Sequence, residues 1–440
     1  MINTIWGVML TVIAPFGAIG LATLVRRRGA SVEISRKLIH ILLSNWILLA
    51  LAVYRSAWAC VVPACFVLLN YLSYRKGIFS AMERAQTDNT LGTVWYALSL
   101  FLLCLAGYTL RMPWIAACGM LAMGYGDGLG ALVGSRWGKL HFPSPHHKKT
   151  FEGMVTVLLF SGLAVGFACA VCIPNPAPGF ALRAALACAV PAAAIELFTP
   201  YGVDNLTLPL GVGLSVFLLA RFPLLWPVFL CLDITLLILI CAYYLRAITF
   251  TGLGTAAALG VCLFLCGGWL SFNALILFFL LGSAVSRAGK ARKASASALH
   301  EHQGARSVAQ VLANGLPSLL FALLYRAAGL ESCLPAALAC FAGAAADTFS
   351  SEIGMLSKRK PVCILTWKPV QRGMSGGVTP LGVAAAAAGA LAVALLTLPG
   401  FGAAGALAIA GTGLASSLLD SVLGAAFQAK YQMCAPTAPP

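Results

Sequence analysis

The chain has 440 residues, of which 60% are hydrophobic and only 10% are charged. Soluble domains do not have this composition, so the sequence predicts an all-α, polytopic integral membrane protein. Lysine and arginine outnumber the acidic residues by 29 to 13, which gives a formal net charge of +16. Binding of nucleic acid is not expected, because it would need a basic patch on a soluble face and no soluble domain is predicted.

Apolar runs separated by polar or Pro/Gly-rich breaks predict about fifteen transmembrane helices in two related multi-helix halves. Basic clusters follow several of these runs, at residues 26–28, 75–76, 136–149, 287–293 and 357–360. If all of them face the cytoplasm, an even number of spans separates each from the next, as the positive-inside rule requires. The pattern predicts a protein of the cytoplasmic (inner) membrane with the N-terminus outside and the C-terminus and basic loops inside. A second set of apolar spans begins after residues 236–250, which predicts two domains, residues 1–240 and residues 241–440.

Near the start, SRKLIH places Arg36, Lys37 and His40 where a helix is predicted to begin on the cytoplasmic side. As positive flanks of a membrane span, these residues would need no further function. Asp127 is different, because it lies within a predicted span, in the stretch MGYGDGLGALVGSRWGK (123–139). An aspartate near the middle of a membrane helix costs roughly 2.5–3.5 kcal/mol on insertion scales, so such an acid is by default a functional candidate.

The residues around Asp127 suit a nucleotide phosphate site. A carboxylate suits Mg²⁺, which usually takes one or two carboxylates together with substrate phosphates. Glycines such as Gly126 and Gly128 let backbone N–H groups approach phosphate oxygens, and clustered basic side chains suit a polyphosphate. The basic residues that follow are Arg136, Lys139, Lys148 and Lys149. The loop GSRWGKL is not a P-loop, because its spacing is one residue short and no Ser or Thr follows the lysine.

A second polar break follows at ELFTPYGVDNLTLPL (196–210), which contains Glu196, Asp204 and Asn205. Irregular backbone at membrane depth is tolerated where it lines a cavity enclosed by protein or water. The two carboxylates and the amide could therefore complete a metal site or act as a base toward a substrate hydroxyl.

The two halves show the same order of residues when they are aligned on Asp127 and Asp347. Without a gap, each aspartate is followed by a glycine, a basic residue, a lysine and a Gly-Met pair: Gly134, Lys139, Lys148 and Gly153-Met154 in the first half, and Gly354, Arg359, Lys368 and Gly373-Met374 in the second. Each half has a later aspartate at a comparable distance, Asp204 and Asp420. Duplicated membrane modules leave weak internal symmetry of this kind.

Several blocks also resemble known families. SRKLIH, GDGLGALVGSRWGK, KKTFEGM and ELFTPYGVDNLTLPL resemble the dolichol kinase and phytol kinase family, relatives of the CTP-dependent cytidylyltransferases, over roughly residues 20–235. The second-half blocks are GARSVAQVLANG (304–315), AADTFSSEIGMLSK (345–358), KPVQRGMSGGVTPLG (368–382) and DSVLGAAFQ (420–428). These resemble the family that includes the phytyl-phosphate kinases, over roughly 245–434.

The first resemblance implies CTP- and Mg²⁺-dependent phosphorylation of a prenyl alcohol of the phytol, geranylgeraniol or farnesol class. The second implies phosphorylation of the monophosphate to the diphosphate, so the chain is expected to be a bifunctional lipid kinase. The expected catalytic residues are Asp127, Asp204, Lys148, Asp347 and Lys368. Those expected to bind nucleotide or phosphate are Arg36, Lys37, Gly126, Gly128, Arg136, Lys139, Lys149, Asn205, Arg306, Asn314, Arg372, Gly373, Gly376 and Gly377. Those expected to hold the metal are Asp127, Asp204, Glu196, Asp347, Glu352 and Asp420.

In the ungapped alignment, Arg372 stands where the first half has Glu152. A positive charge there would favour a monophosphate acceptor, whereas a carboxylate would disfavour one.

Two other functions fit part of the pattern. A cytidylyltransferase that uses CTP on a lipid phosphate would have a similar site but would release pyrophosphate instead of CDP. A transporter would also show weak repeats, broken helices and intramembrane acids. Against a transporter, the polar residues concentrate at the predicted cytoplasmic ends of the helices and not at the midplane.

Overall fold

The computed structural model describes residues 4–76, 91–143, 149–287 and 305–428. The chain divides into two compact units, Met1–Tyr244 and Leu245–Pro440, and each unit is described by itself. Lys148, one of the residues predicted to be catalytic, lies outside the described residues.

The first unit is entirely helical in its described part. The α-helices are α1 (Thr4–Arg27), α2 (Val32–Ser44), α3 (Trp46–Val53), α4 (Val61–Lys76), α5 (Gly92–Thr109), α6 (Trp114–Leu121), α7 (Gly128–Trp137), α8 (Phe151–Cys172), α9 (Phe180–Phe198), α10 (Asp204–Arg221) and α11 (Trp226–Tyr244). A π-helical turn, Ala122–Asp127, joins α6 to α7. π-Turns inside a helix are rare and occur frequently at functional sites, and this one ends at Asp127.

The second unit is also helical, apart from one short hairpin. Its helices are α12 (Phe250–Arg287), α13 (Val308–Ala328), α14 (Cys333–Gly354), α15 (Pro380–Ala394) and α16 (Leu398–Phe427). Strands β1 (Val362–Cys363) and β2 (Gly377–Val378) pair in antiparallel fashion between α14 and α15.

Twelve helical stretches among the described residues are long and apolar enough to cross a membrane. The prediction of an all-α, polytopic membrane protein is confirmed. Two of the stretches, Phe250–Arg287 and Pro380–Phe427, contain 38 and 48 residues, and about 20 residues are enough for one crossing. Each is interrupted by a glycine in the left-handed region, Gly268 and Gly402. The predicted number of about fifteen spans stays a prediction.

The glycines around Asp127 allow close packing between helices. A Cβ on Gly126 would lie 1.9 Å from Ser161 Oγ of α8, and one on Gly128 would lie 2.7 Å from Ile41 Cγ1 of α2. Helix packing is therefore a role of Gly126 and Gly128 that was not predicted, and their binding of a phosphate through the backbone stays a prediction. Their missing side chains let α2 and α8 pack against the π-turn from two sides, which fixes the position of Asp127.

The same local packing recurs in the second unit. A Cβ on Gly134 would lie 3.4 Å from the Cα of Gly153, and one on Gly354 would lie 3.3 Å from the Cα of Gly382. Gly153 and Gly382 each follow a threonine that caps the next helix: Thr150 and Thr379 accept hydrogen bonds from their N–H groups, at 3.2 and 3.0 Å. Asp127 and Asp347 therefore lie at corresponding positions.

This correspondence corrects the ungapped alignment beyond Gly354. Gly153 lies 26 residues after Asp127, whereas Gly382 lies 35 residues after Asp347, so the second unit has nine additional residues. Lys368 is therefore not the counterpart of Lys148, and Arg372 is not the counterpart of Glu152. The additional residues fall in the segment that contains the hairpin.

Candidate functional site

The site of the first unit is centred on a buried ion pair. The Lys37 ammonium on α2 donates to both oxygens of Asp127, at 2.7 Å to Oδ1 and 2.5 Å to Oδ2. Both side chains are at least 95% buried. His40 lies one turn farther along α2, and its Nδ1 is 3.8 Å from Asp127 Oδ2. The SRKLIH segment therefore does more than flank a span, because the positive charge of Lys37 balances the negative charge of Asp127.

Two further carboxylates lie close to Asp127. One oxygen each of Asp127, Glu196 and Asp204 lies within 4.8 Å of the others, the one such group of three among the described residues. Glu196 comes from the end of α9 and Asp204 from the start of α10. The backbone between these helices turns at Tyr201 and Gly202, both of which have positive φ. This break is what brings the two acids to the same place.

A second lysine balances part of this negative charge. Lys149 directly precedes the cap of α8 and forms an ion pair with Glu196. Burial works against the charged form of Lys149, but the surrounding carboxylates, Glu196 foremost, outweigh it and raise the pKa of the ammonium group. Lys149 is therefore a cation at neutral pH.

Arg36 and Asn205 complete the polar surroundings of the cluster. Arg36 forms an ion pair with Glu33 at 2.6 Å. The side chain of Asn205 donates to the carbonyl of Gly92 at 3.1 Å, but its Oδ1 has no hydrogen-bond partner in the described structure. Asn205 is 1% exposed, so this oxygen is a buried acceptor next to Asp204 without a donor of its own.

These donors fit Mg²⁺. The ion prefers carboxylate and carbonyl oxygens at 2.0–2.1 Å, so two oxygens on opposite sides of it lie about 4.2 Å apart. Adjacent oxygens around the same ion lie about 2.9 Å apart, so the three carboxylates, now within 4.8 Å of one another, would draw closer together on binding it, and Asn205 Oδ1 adds a neutral oxygen. Lys37 occupies both oxygens of Asp127, so a metal at this carboxylate requires the ammonium to move toward another acceptor.

Two of the predicted phosphate-binding residues lie apart from this cluster. Arg136 is exposed and its guanidinium lies 5.4 Å from the ring centre of Trp137. Lys139 is also exposed, and its backbone N–H donates to Glu152 Oε1 at 3.0 Å. Glu152 thus holds the backbone of Lys139 and Leu140 in place, which is a structural role.

The second unit has an open polar cavity of about 370 Å³ in the corresponding place. Asp347 of α14 and Asp420 of α16 line it, and both are exposed to it. Arg359 and Arg372 contribute positive charge, and Arg372 donates to the carbonyl of Ser357 at 2.7 Å. The predicted glycines at 373, 376 and 377 also line the cavity.

The loop that carries these glycines depends on them for its shape. Gly373 and Gly376 have φ of +83° and +78°, a region that residues with a side chain rarely adopt. A Cβ on Gly376 would also lie 2.4 Å from the Cβ of Ala425 on α16. The loop thus turns tightly and approaches α16 closely at the wall of the cavity.

The other residues predicted for the second site do not line this cavity as described. Lys368 is exposed on the hairpin segment. Arg306 lies over the rings of Phe278 and Phe279, at 5.4 and 4.9 Å, and interacts electrostatically with Glu352. Asn314 donates to the carbonyl of Gln310 at 2.9 Å. Arg306, Glu352 and Asn314 therefore have local partners in the helix packing.

Two residues that belong to these sites were not among the predicted ligands. His40 was named as part of SRKLIH and as an outside candidate for the base, but its place beside Asp127 was not predicted, although its spacing of three from Lys37 puts both on one face of a helix. Arg359 was noticed only as a basic residue in the alignment, and the sequence carries no signal that the chain folds back to place it at the same cavity as Asp347.

Parts of the chain are similar to known membrane proteins. Residues 233–437 match the model of integral membrane protein family DUF92. The chain is 36% identical to a phytol kinase of Synechocystis over 186 residues, which is 41% of this chain and 77% of that protein. It is 39% identical to an uncharacterized membrane protein of Methanocaldococcus jannaschii, over 39% of this chain and 70% of that protein. A further uncharacterized membrane protein of Synechocystis is 31% identical, over 42% and 74%. No solved structure matches.

Fold, site and comparisons together define an integral membrane protein with charged groups held inside its helix bundles. The chain belongs, over part of its length, to the family that contains the Synechocystis phytol kinase.

Proposed function

We propose that the protein is a bifunctional membrane lipid kinase. The first unit phosphorylates a prenyl alcohol of the phytol, geranylgeraniol or farnesol class with CTP and Mg²⁺, and the second converts the monophosphate to the diphosphate. The observation that carries the proposal is the buried group of Asp127, Glu196 and Asp204 with two lysines paired to it, in a chain similar to a phytol kinase.

In the first reaction the alcohol oxygen forms a bond to the γ-phosphorus of CTP, the bond from that phosphorus to the bridging oxygen breaks, and CDP leaves. Bound Mg²⁺, held by the three carboxylates, would neutralise charge on the phosphates. Lys37 and Lys149 would transfer hydrogen bonds from carboxylates to phosphate oxygens, stabilising charge on the transferred group. Asp204 is the proposed base for the hydroxyl proton, and His40 is the second candidate.

In the second reaction a phosphate oxygen of the monophosphate is the acceptor, and no hydroxyl has to be deprotonated. The acceptor is itself an anion, which suits a cavity with Arg359 and Arg372 on its wall. Asp347 and Asp420 would hold the metal, and the donor nucleotide of this step is left open in the proposal. Joining the two activities in one chain keeps the monophosphate at a high local concentration.

We also propose that both sites face the cytoplasm, where CTP is found. The support for this orientation is the distribution of basic residues, with Arg26 and Arg27 in the last turn of α1, and Arg75 and Lys76 in the last turn of α4.

The test uses the purified full-length protein in lipid nanodiscs with radiolabelled farnesol or geranylgeraniol, Mg²⁺ and each nucleoside triphosphate in turn. The wild type should form monophosphate and then diphosphate, releasing CDP in the first step. Asp127→Asn should give no product from the alcohol but still convert added monophosphate. Asp347→Asn should accumulate monophosphate.

Three results would contradict the proposal. Diphosphate from both variants would overturn the assignment of the sites. Release of pyrophosphate with a nucleotide-linked lipid would establish a cytidylyltransferase. Uptake of a solute without any lipid product would establish a transporter.

A further inference from the structure

The hairpin of the second unit leaves two large apolar side chains exposed. After β1 the chain turns at residues 364–367 and comes back along the strand. Leu365 and Trp367 lie in this turn and are 50% and 74% exposed, and neither lines the cavity of the second unit. Neighbouring exposed apolar side chains mark surfaces that contact a partner or a membrane.

The backbone of the turn holds Trp367 in this position. Its φ is +55°, a conformation that is rare for residues with a bulky side chain. The Trp367 N–H donates to the carbonyl of Cys363 at 2.8 Å, and the Cys363 N–H donates to the carbonyl of Lys368 at 2.9 Å. The turn is therefore closed by its own hydrogen bonds. A strained residue that keeps an indole exposed points to a function for that side chain.

The strands keep the turn near the ends of two membrane-spanning helices. The hairpin lies between α14, which ends at Gly354, and α15, which begins at Pro380. Cys363, the last residue of β1, pairs with Gly377, which is three residues or at most about 10 Å of extended chain from α15. The interfacial layer on each side of a bilayer is about 5–8 Å thick. The turn therefore lies within reach of the lipid headgroups at the end of α15.

The charge around the turn is positive. Lys358, Arg359, Lys360 and Lys368 are exposed on either side of it, and residues 353–419 contain no acidic residue. An apolar centre with basic residues around it is complementary to a bilayer surface that contains anionic lipids. Tryptophan is also enriched at the membrane–water interface, where its ring contacts apolar groups and its N–H stays in a polar layer.

We propose that the turn 364–367 docks on the headgroup layer of the bilayer, with Leu365 and Trp367 inserted among the lipids and the flanking lysines bound to anionic phospholipids. Pro361, directly before β1, and Gly377 in β2 line the cavity. Docking thus holds this part of the cavity wall next to the lipid headgroups. The inference concerns contact with the membrane and does not depend on the reaction that the cavity catalyses.

The test isolates the fluorescence of Trp367 by subtracting the emission of Trp367→Phe from that of the wild type. Both full-length proteins are placed in nanodiscs of phosphatidylcholine and phosphatidylglycerol, with bromine on the acyl chains either close to the headgroup or close to the chain end. Bromine quenches an indole only at short range. The Trp367 emission should be quenched more strongly by the bromine near the headgroup than by the deeper bromine. It should also be shielded from acrylamide, a quencher dissolved in the water.

The contribution of the basic residues is measured by varying the fraction of phosphatidylglycerol. Attraction of one lysine to an anionic surface corresponds to about a fivefold change in the ratio of docked to undocked turns. Lys368→Gln should therefore need a higher fraction of phosphatidylglycerol for half-maximal quenching, and added salt should act in the same direction. The matched control is Arg326→Gln. Arg326 is exposed in the last turn of α13, which is followed by the start of α14, so it lies at the opposite end of α14 from the hairpin.

Three results would overturn the inference. Quenching of Trp367 by acrylamide but not by brominated lipid would mean that the turn lies in water. Quenching by neither would mean that a protein surface covers it, either a second copy of this chain or another protein. Quenching that is already complete without phosphatidylglycerol, or an equal shift in Lys368→Gln and Arg326→Gln, would exclude the binding of anionic lipid by the flanking lysines.

A labelling experiment needs no variant and so covers a substitution that impairs folding. The wild type in nanodiscs is irradiated with phosphatidylglycerol that carries a photoactivatable group on its headgroup. After proteolysis, label should appear in the peptide that contains Leu365 and Trp367. Absence of label from this peptide, with labelling of others, would contradict the inference.

Discussion

The two units place their acids in opposite environments. In the first unit Asp127, Glu196 and Asp204 are buried and two lysines form ion pairs with them. In the second unit Asp347 and Asp420 are exposed in an open cavity, with arginines and a glycine loop on its wall. The local helix packing that carries Asp127 and Asp347 is nevertheless the same. The comparison teaches that one framework of packed glycines can support either a closed, internally compensated site or an open one.

The segment after the shared helix explains the difference. In the first unit Lys149 directly precedes Thr150, the cap of the next helix, and forms an ion pair with Glu196. In the second unit the nine additional residues fall in the segment that contains the hairpin and the glycine loop, and Val378 directly precedes the capping Thr379. The acids of the second unit therefore have no lysine at that position to close over them.

The largest expected effect is on the stability of the first unit. Lys37→Met leaves Asp127 as a buried charge without its partner, and removing one member of a buried pair costs about 3–5 kcal/mol. We expect a clear fall in thermal stability, measured in detergent. The double variant Lys37→Met/Asp127→Asn should recover much of the loss, because no charge is then left unpaired.

The matched change in the second unit is Arg372→Met, which should shift thermal stability by less than about 1 kcal/mol because the arginine is exposed. Equal losses in the two units would break the contrast between a closed and an open site.

Mg²⁺ should stabilise the first unit in the absence of substrate. An ion at a hundred times its dissociation constant adds about 2.7 kcal/mol to the folded state, and the three carboxylates already lie close together. We expect the unfolding temperature to rise with added Mg²⁺ and to return on chelation. Asp204→Asn should weaken the response, whereas Asp347→Asn should leave it in place. A response that depends only on Asp347 would place the tighter metal site in the other unit.

Two glycine substitutions test whether the shared framework is equivalent in the two units. Gly134→Ala and Gly354→Ala each bring a Cβ against the next helix, within 2.9 and 3.3 Å of its nearest atom. Overpacking of this kind costs about 1–3 kcal/mol, and the loss should be somewhat larger for Gly134. The control is Gly254→Ala, where a Cβ meets nothing within 4 Å. If only one of the two variants is destabilised, the correspondence between the units is incomplete.

A change in KM, with no loss of stability, separates the two substrates. Arg372→Gln should raise the KM for the prenyl monophosphate by about tenfold, equal to 1.4 kcal/mol, because a charged donor to the acceptor phosphate is lost. Phosphorylation of the alcohol by the first unit should be unchanged. Assays with each lipid supplied separately measure the two steps, and a loss confined to the alcohol would contradict the assignment.

Sequence patterns predicted the membrane class and the helical fold because hydrophobic composition and run length are properties of the chain itself. They also singled out Asp127 and Asp347, since an acid in an apolar run is conspicuous wherever it points. They did not reveal that Gly126 and Gly128 lie at helix crossings, because a glycine near a candidate phosphate site and a glycine at a helix crossing look the same in one dimension. They failed beyond Gly354, where an alignment without a gap could not register nine added residues.

The sequence by itself determined that this protein has membrane-spanning helices and that two of them contain an aspartate at the same point of a repeated motif. Only the tertiary structure decided the partner of each aspartate. Lys37 reaches Asp127 across 90 residues of chain, and Glu196 and Asp204 arrive from two other helices. Glycine contacts and a nine-residue difference in loop length set these distances. The physical reason is that ion pairing depends on separations of a few ångströms, which are fixed by how helices pack and not by where residues stand in the chain.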